Sequence, residues 1–464
     1  MKQVAVTVAL LAVTGTPAYA QQPDFAQARD QAVQILQSLI RLDTSNPPGH
    51  ETIAAQYLKT LLEQQGIPAK IYEMVEGRGN VVARIKGNGS KQPLLLMGHL
   101  DVVGVERDNW SVDPFAGVIQ DGYLWGRGSQ DDKGMTAVAL QVVLMLERQN
   151  VELDRDIIFL AEAGEEGTPE VGINYMVDQH WDDIAAEFAL NEGGRIWAEN
   201  GRVGSVAVAT TEKVPRRMRL VARGTSGHGS RPRPDNPIVH LAAAVAKFGA
   251  WQPQMRLNEN TSEYFKRMAE ISPADEAFLY RHLEDPDLTE MVQEKLRLTD
   301  IEANSMIRTS ISPNIIDGGF RSNVIPAEAV ATLDVRALPD EDIPQLIAQM
   351  NALIDDSLVE VVPPSNRGRP VSPPSRLDTD MFRAIEQVQA RVFPDAVTLP
   401  TMLTGATDSA QLRAKGVQAY GIGAVIDQEI GSLAHGNDER LSVEGIGQFV
   451  EFLYNVVLEV AASK

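Results

Sequence analysis

Cysteine is absent from all 464 residues, so no disulfide braces the fold and no thiolate serves as a metal ligand. Positive charge is scarce: 42 Lys and Arg stand against 63 Asp and Glu, a net charge of −21. A surface of that sign repels nucleic acid and anionic membrane, which removes both as expected partners. Past the first twenty residues, no stretch reaches the ~20 apolar residues that a membrane-spanning helix needs. Internal repeats and low-complexity tracts are missing too, which excludes a solenoid.

The first twenty residues are of another kind. Lys2 precedes a mostly apolar run from Val4 to Val13, which ends in Pro17-Ala18-Tyr19-Ala20. This reads as a cleaved secretory signal peptide over 1–20 and places the mature chain outside the cytoplasm, secreted or periplasmic. The remainder is too long for one ordinary core, so two domains are expected.

Helical spacing of apolar residues predicts helices over 25–42, 51–65, 135–147 and 171–179. Short apolar runs predict strands at 69–74, 80–86, 94–97, 156–161 and 187–190. Such alternation argues an α/β fold, a mostly parallel sheet with helices on both faces. After about residue 212 the pattern changes. Strands are expected at 218–223, 306–312 and 329–336 and helices at 237–248 and 343–354, with a polar, helix-favouring region at 261–299. That is an inserted α+β lid, followed by a Pro-rich linker at 363–374. A helix from 379, a Gly-rich turn at 405–408, a strand at 417–422 and a last helix at 443–460 resume the first style. The expected order is a catalytic domain over 21–215, a lid over 216–362 and the rest of the catalytic domain over 363–464.

Acidic and imidazole side chains gather where the strands stop. His99 and Asp101 follow Leu94-Leu95-Leu96-Met97-Gly98, and Asp131 and Asp132 follow Gly126-Arg127-Gly128-Ser129-Gln130. Glu165 and Glu166 lie between Gly164 and Gly167, Glu192 precedes Gly193-Gly194, and His435-Gly436 precedes the last helix. Strand ends are where an open α/β sheet presents ligands. Two imidazoles and several carboxylates exceed what one tetrahedral zinc takes, but they suit two ions that share a bridging carboxylate. If Glu166 ligates a metal, Glu165 is free to act as general base. Asp101, two residues past His99, suits the role of orienting that imidazole. His228, in a Gly-flanked loop outside the sheet, is the candidate donor to a tetrahedral oxyanion.

These motifs resemble the dinuclear zinc amidohydrolase and exopeptidase family that includes aminoacylase, glutamate carboxypeptidase, carboxypeptidase S, acetylornithine deacetylase and carnosinase. The resemblance covers nearly all of the chain past residue 20. It rests on Gly98-His99-Leu100-Asp101, Gly126 to Gly134, Gly164-Glu165-Glu166-Gly167, Leu190-Asn191-Glu192-Gly193 and Ala434-His435-Gly436. It implies that Asp131 bridges two Zn2+ ions, with Co2+ or Mn2+ as alternatives. His99 and Glu192 then complete one ion, Glu166 and His435 the other, with Glu165 the base and Asp101 the partner of His99. It implies a cis peptide between Asp131 and Asp132. It also implies that Asn323 and Arg336 hold a substrate carboxylate, and that the lid forms a homodimer through which His228 reaches a neighbouring site. Residues 251–305 look longer than the lid of the family's compact members, and an enlarged lid could replace or block that dimer contact, which leaves two origins for His228, its own subunit or a neighbouring one.

The expected activity is hydrolysis of an amide next to a free carboxylate, in a peptide (carboxypeptidase or dipeptidase) or in an N-acyl amino acid (deacylase of aminoacylase type). A dinuclear phosphoesterase is disfavoured because no phosphate clamp is visible. A non-enzymatic exported metal-binding protein is disfavoured because Glu165 exceeds what mere binding needs.

Overall fold

A computed structural model describes residues 23–364 and 368–463; the signal-peptide reading of residues 1–20 lies outside them. Among the described residues no helix is long and apolar enough to cross a membrane.

Within the described residues the central sheet has ten strands. Its middle consists of the parallel strands Ile157–Glu162, Leu94–His99, Phe188–Asn191 and Gln418–Gly421. Antiparallel strands Gly79–Ile85 and Ala69–Glu73 extend one side. On the other, Arg202–Glu212 leads to Arg195–Glu199 and Val425–Asp427, and Val397–Leu403 pairs with Arg202–Glu212. Side chains alternate between two cores, as the period of a strand requires. Leu94 and Leu96 pack with the helices Phe25–Ile40, Lys133–Arg148 and Val443–Ala461, while Leu95 and Met97 face Ile173, Met176 and Leu412. A strand buried on both faces has to read as a continuous apolar run, which is why Leu94 to Met97 is one.

The chain leaves this sheet at Lys213, whose buried Nζ donates to the carbonyls of Arg308 and Arg336. The lid beyond is a four-stranded antiparallel sheet in the order Ser310–Gly318, Glu328–Ala337, Val214–Arg223, Val359–Val362. The helices Pro237–Ala250 and Ile343–Ile354 cover one face of it through Leu241, Phe248, Leu346 and Met350. Residues 306–312, expected as a strand, divide differently. The Asp300 carboxylate caps the helix Ile301–Met306 by accepting from the Ala303 amide at 2.9 Å, and the strand begins only at Ser310.

The extra length at 251–305 forms a helical unit with its own core of Phe265, Tyr280, Val292 and Leu296. It reaches past the lid to the catalytic sheet. Arg267 on the helix Glu259–Ile271 bonds Glu386 at 2.7 Å and the Thr398 carbonyl at 2.8 Å, and Asn260 donates to the Ser375 carbonyl at 2.8 Å.

Candidate metal centre

His99 ends the strand Leu94–His99, Glu192 follows the neighbouring parallel strand Phe188–Asn191, and Asp131 stands just before the helix Lys133–Arg148. Their ligand atoms meet: His99 Nε2 lies 3.0 Å from Asp131 Oδ1 and 3.9 Å from Glu192 Oε1. On the far side of Asp131, His435 Nε2 lies 3.2 Å from its Oδ2 and 2.9 Å from Glu166 Oε1. In each trio the ligand atoms all lie within 4.8 Å of one another. Asp131 thus gives one oxygen to each trio, which is how a carboxylate bridges two cations.

The charges of the cluster fit the same use. Glu192 Oε1 is buried without a hydrogen-bond partner, a costly state that a cation relieves. Hydrogen bonds to Asp131 and Glu166 push the His435 imidazole up to about 10. Burial disfavours the imidazolium of His99, yet Asp101 and Asp131 outweigh it and hold the ring well above its usual value. A nest of carboxylates that raises the proton affinity of both imidazoles is a site short of positive charge. Two divalent ions meet that demand with this thiolate-free donor set.

The supports are specific. His99 Nδ1 donates to the backbone carbonyl of Asp101 at 2.9 Å, with the Asp101 carboxylate farther off at 3.5 Å. That fixes the tautomer with Nε2 facing the ligands. The Asp101 carboxylate itself accepts from the amides of Glu165 (3.1 Å) and Glu166 (3.0 Å) and from Asn46 Nδ2 (2.8 Å). Asp101 therefore sets the loop of the two glutamates through its side chain and His99 through its main chain. Asp131 is held similarly by Glu439, whose buried carboxylate accepts from the amides of Gly128 (3.1 Å), Gln130 (2.6 Å) and Asp131 (3.2 Å) and pairs with Arg127 at 2.6 Å. The peptide between Asp131 and Asp132 is cis. His435 sits at φ +62°, a left-handed conformation uncommon outside glycine, which its loop keeps while presenting the imidazole.

The cluster opens into a cavity of about 520 Å³ lined also by Glu165, Arg336 and Arg369. Burial pushes Glu165 up to about 8, even though its carboxylate pairs with Arg369. Arg369 Nη1 in turn contacts Asp408 Oδ1 at 2.8 Å. Arg336 is held in the cavity wall by Asp334, at 2.9 and 3.2 Å. Two candidates lie elsewhere. His228 and Asn323 are adjacent on the lid, where Gly227–His228 pairs with Val324–Ile325, but both are exposed and neither lines the cavity.

A bridged pair of cation sites beside a buried glutamate, in a cleft with fixed guanidinium groups, is built for hydrolysis; the chain is a metal-dependent hydrolase acting on amide bonds. It belongs to peptidase family M20/M25/M40, whose family model matches residues 95–459. It is 30% identical over 377 residues to probable carboxypeptidase S-like 2 of Dictyostelium discoideum, covering 79% of this chain and 72% of that one. It is 28% identical over 395 residues to the human N-fatty-acyl-amino acid synthase/hydrolase, covering 83% and 78%. The M20 family metallo-carboxypeptidase Sso-CP2 of Sulfolobus solfataricus shares the fold, with a TM-score of 0.70, 19% identity and coverage of 93% and 99%.

Proposed function

We propose that the protein is an exported dinuclear enzyme, zinc-dependent with cobalt or manganese as alternatives, that hydrolyses an amide adjacent to a free carboxylate. The substrate is a C-terminal peptide bond or an N-acyl amino acid. The observation that carries this reading is the sharing of Asp131 between two ligand trios with Glu165 beside one of their ligands. The relatives' names, a carboxypeptidase-like protein and an N-fatty-acyl-amino acid hydrolase, support both substrate classes. Export rests on the composition of residues 1–20.

When bound, the cations acidify the attacking water and polarise the substrate carbonyl. Glu165 takes the proton from that water and returns it to the leaving nitrogen. Arg369 holds the Glu165 carboxylate in place, and Asp334 fixes Arg336 with part of its guanidinium left for a substrate carboxylate. His228 stands ready to donate to the oxyanion of a neighbouring site. A homodimer would bring it there. The edge strand Ser310–Gly318 of the lid exposes Ile315 and Ile316, and Phe320 just past it is 82% exposed, a surface suited to self-pairing.

Glu165→Gln tests the mechanism. Turnover should fall about 10²- to 10⁴-fold, the range general bases contribute, while metal analysis still finds two ions per chain. Undiminished hydrolysis in that variant removes Glu165 from the chemistry.

A further inference from the structure

A second cavity, of about 350 Å³, adjoins the metal cleft and shares Gly193, Arg195 and Leu403 with it. Its walls are largely apolar. Trp197, Leu399, Met402 and Leu403 come from the catalytic sheet. Tyr264 and Met268 come from the helix Glu259–Ile271, the part of the insert that docks on that sheet. Arg195 and Glu302 are the charged members of the lining, and the Arg195 guanidinium lies 5.9 Å from the centre of the Trp197 ring. The shared wall begins directly after the candidate ligand Glu192, which puts the chamber beside the place where a substrate's amide would lie.

We propose that this chamber receives the linear apolar acyl chain of an N-acyl amino acid. The inference rests on the reading of the metal cleft as an amide-hydrolysing site and adds which substrate class it serves. An amide flanked by a carboxylate has two arms. The carboxylate arm needs a guanidinium group, and Arg336, with part of its guanidinium left free by Asp334, lines the metal cavity. The other arm meets apolar wall, which favours methylenes over a charged or strongly hydrated group. Two unbranched, polarizable methionines in the lining adapt to chains of different length. A short peptide side chain would leave most of the volume empty and gain little from it.

The test is calorimetry on the metal-loaded Glu165→Gln protein with N-acylglycines from acetyl to dodecanoyl, alongside turnover of the same series by the unmodified enzyme. Binding should tighten about fourfold per methylene until the chamber is full, then level off. Met268→Trp should flatten that dependence by filling the chamber. Met268→Ala should move the plateau to longer chains. A Kd that does not change with chain length, or a dependence that both Met268 variants leave intact, overturns the proposal. Tightening with chain length in the binding series, without turnover of any member by the unmodified enzyme, keeps the chamber and sinks the reading of N-acyl amino acids as its substrates instead.

Discussion

Arg369 shows how a residue becomes functional through its surroundings. It stands in a Pro-rich linker, where an arginine reads as solvated surface, and folding buries it between Glu165 and Asp408. Its positive charge lowers the affinity of Glu165 for a proton, against the burial that raises it. Arg369→Met should therefore move the acid limb of the kcat/KM profile to higher pH, because the base then loses its proton later. An unmoved limb would show that Arg369 does not act on Glu165. Glu439 is a similar case. The five residues of the two candidate ligand trios, with Glu165 and Asp101, stood out in the sequence because each follows a strand signal or sits among glycines. Glu439 lies among Asn437, Asp438 and Arg440, the composition of a solvated turn, and only the folded chain shows its carboxylate gathering three amides beneath Asp131.

At the level of elements, the close approach at Gly98 joins strand to site. A Cβ there would stand 2.6 Å from both Asp132 Oδ2 and Thr136 Oγ1. Gly98→Ala should cost about 1–3 kcal/mol of stability, as overpacking does, and lower the metal content below two ions per chain. Thermal unfolding and metal analysis of the variant check both. The parallel middle of the sheet was readable from its apolar runs, and the helix Ile343–Ile354 falls where its spacing predicts. The hairpin of Arg195–Glu199 and Arg202–Glu212 escapes the strand reading, although Asn200-Gly201 carries its turn signal with φ +51° and +76°. Its strands lie at the sheet's mixed side, where paired antiparallel neighbours relax the continuous apolar run that marks the centre.

For the molecule as a whole, Lys213 couples hinge chemistry to stability. Burial lowers its pKa to about 7 from an ordinary 10.5. Below about pH 7 the amine is charged whether folded or not, and the fold bears the cost of burying it. Above 10.5 it is neutral in both states and the cost is gone. Between those values the unfolded chain binds more protons, so stability due to this group rises with pH. Lys213→Met should remove that slope, as urea titrations at about pH 7 and about pH 9 would reveal. Chelation should lower the melting temperature, since ions held by residues from positions 99 to 435 bind the folded chain and not the unfolded one. Ile316→Asp should convert a dimer to monomers and reduce turnover if His228 serves a second copy, with light scattering as the readout. The contacts of Lys213 with the carbonyls of Arg308 and Arg336, 95 and 123 residues further on, are not visible in the linear order.

The insert's grip on Glu386, Thr398 and Ser375 has a mechanical result. A lid fastened only where the chain crosses over swings like a door; this one is also moored along its flank and behaves more like a braced arch. Solution scattering with and without a carboxylate-bearing inhibitor should then give nearly the same envelope, and selectivity would come from the shape of a standing vault instead of from the timing of its closure.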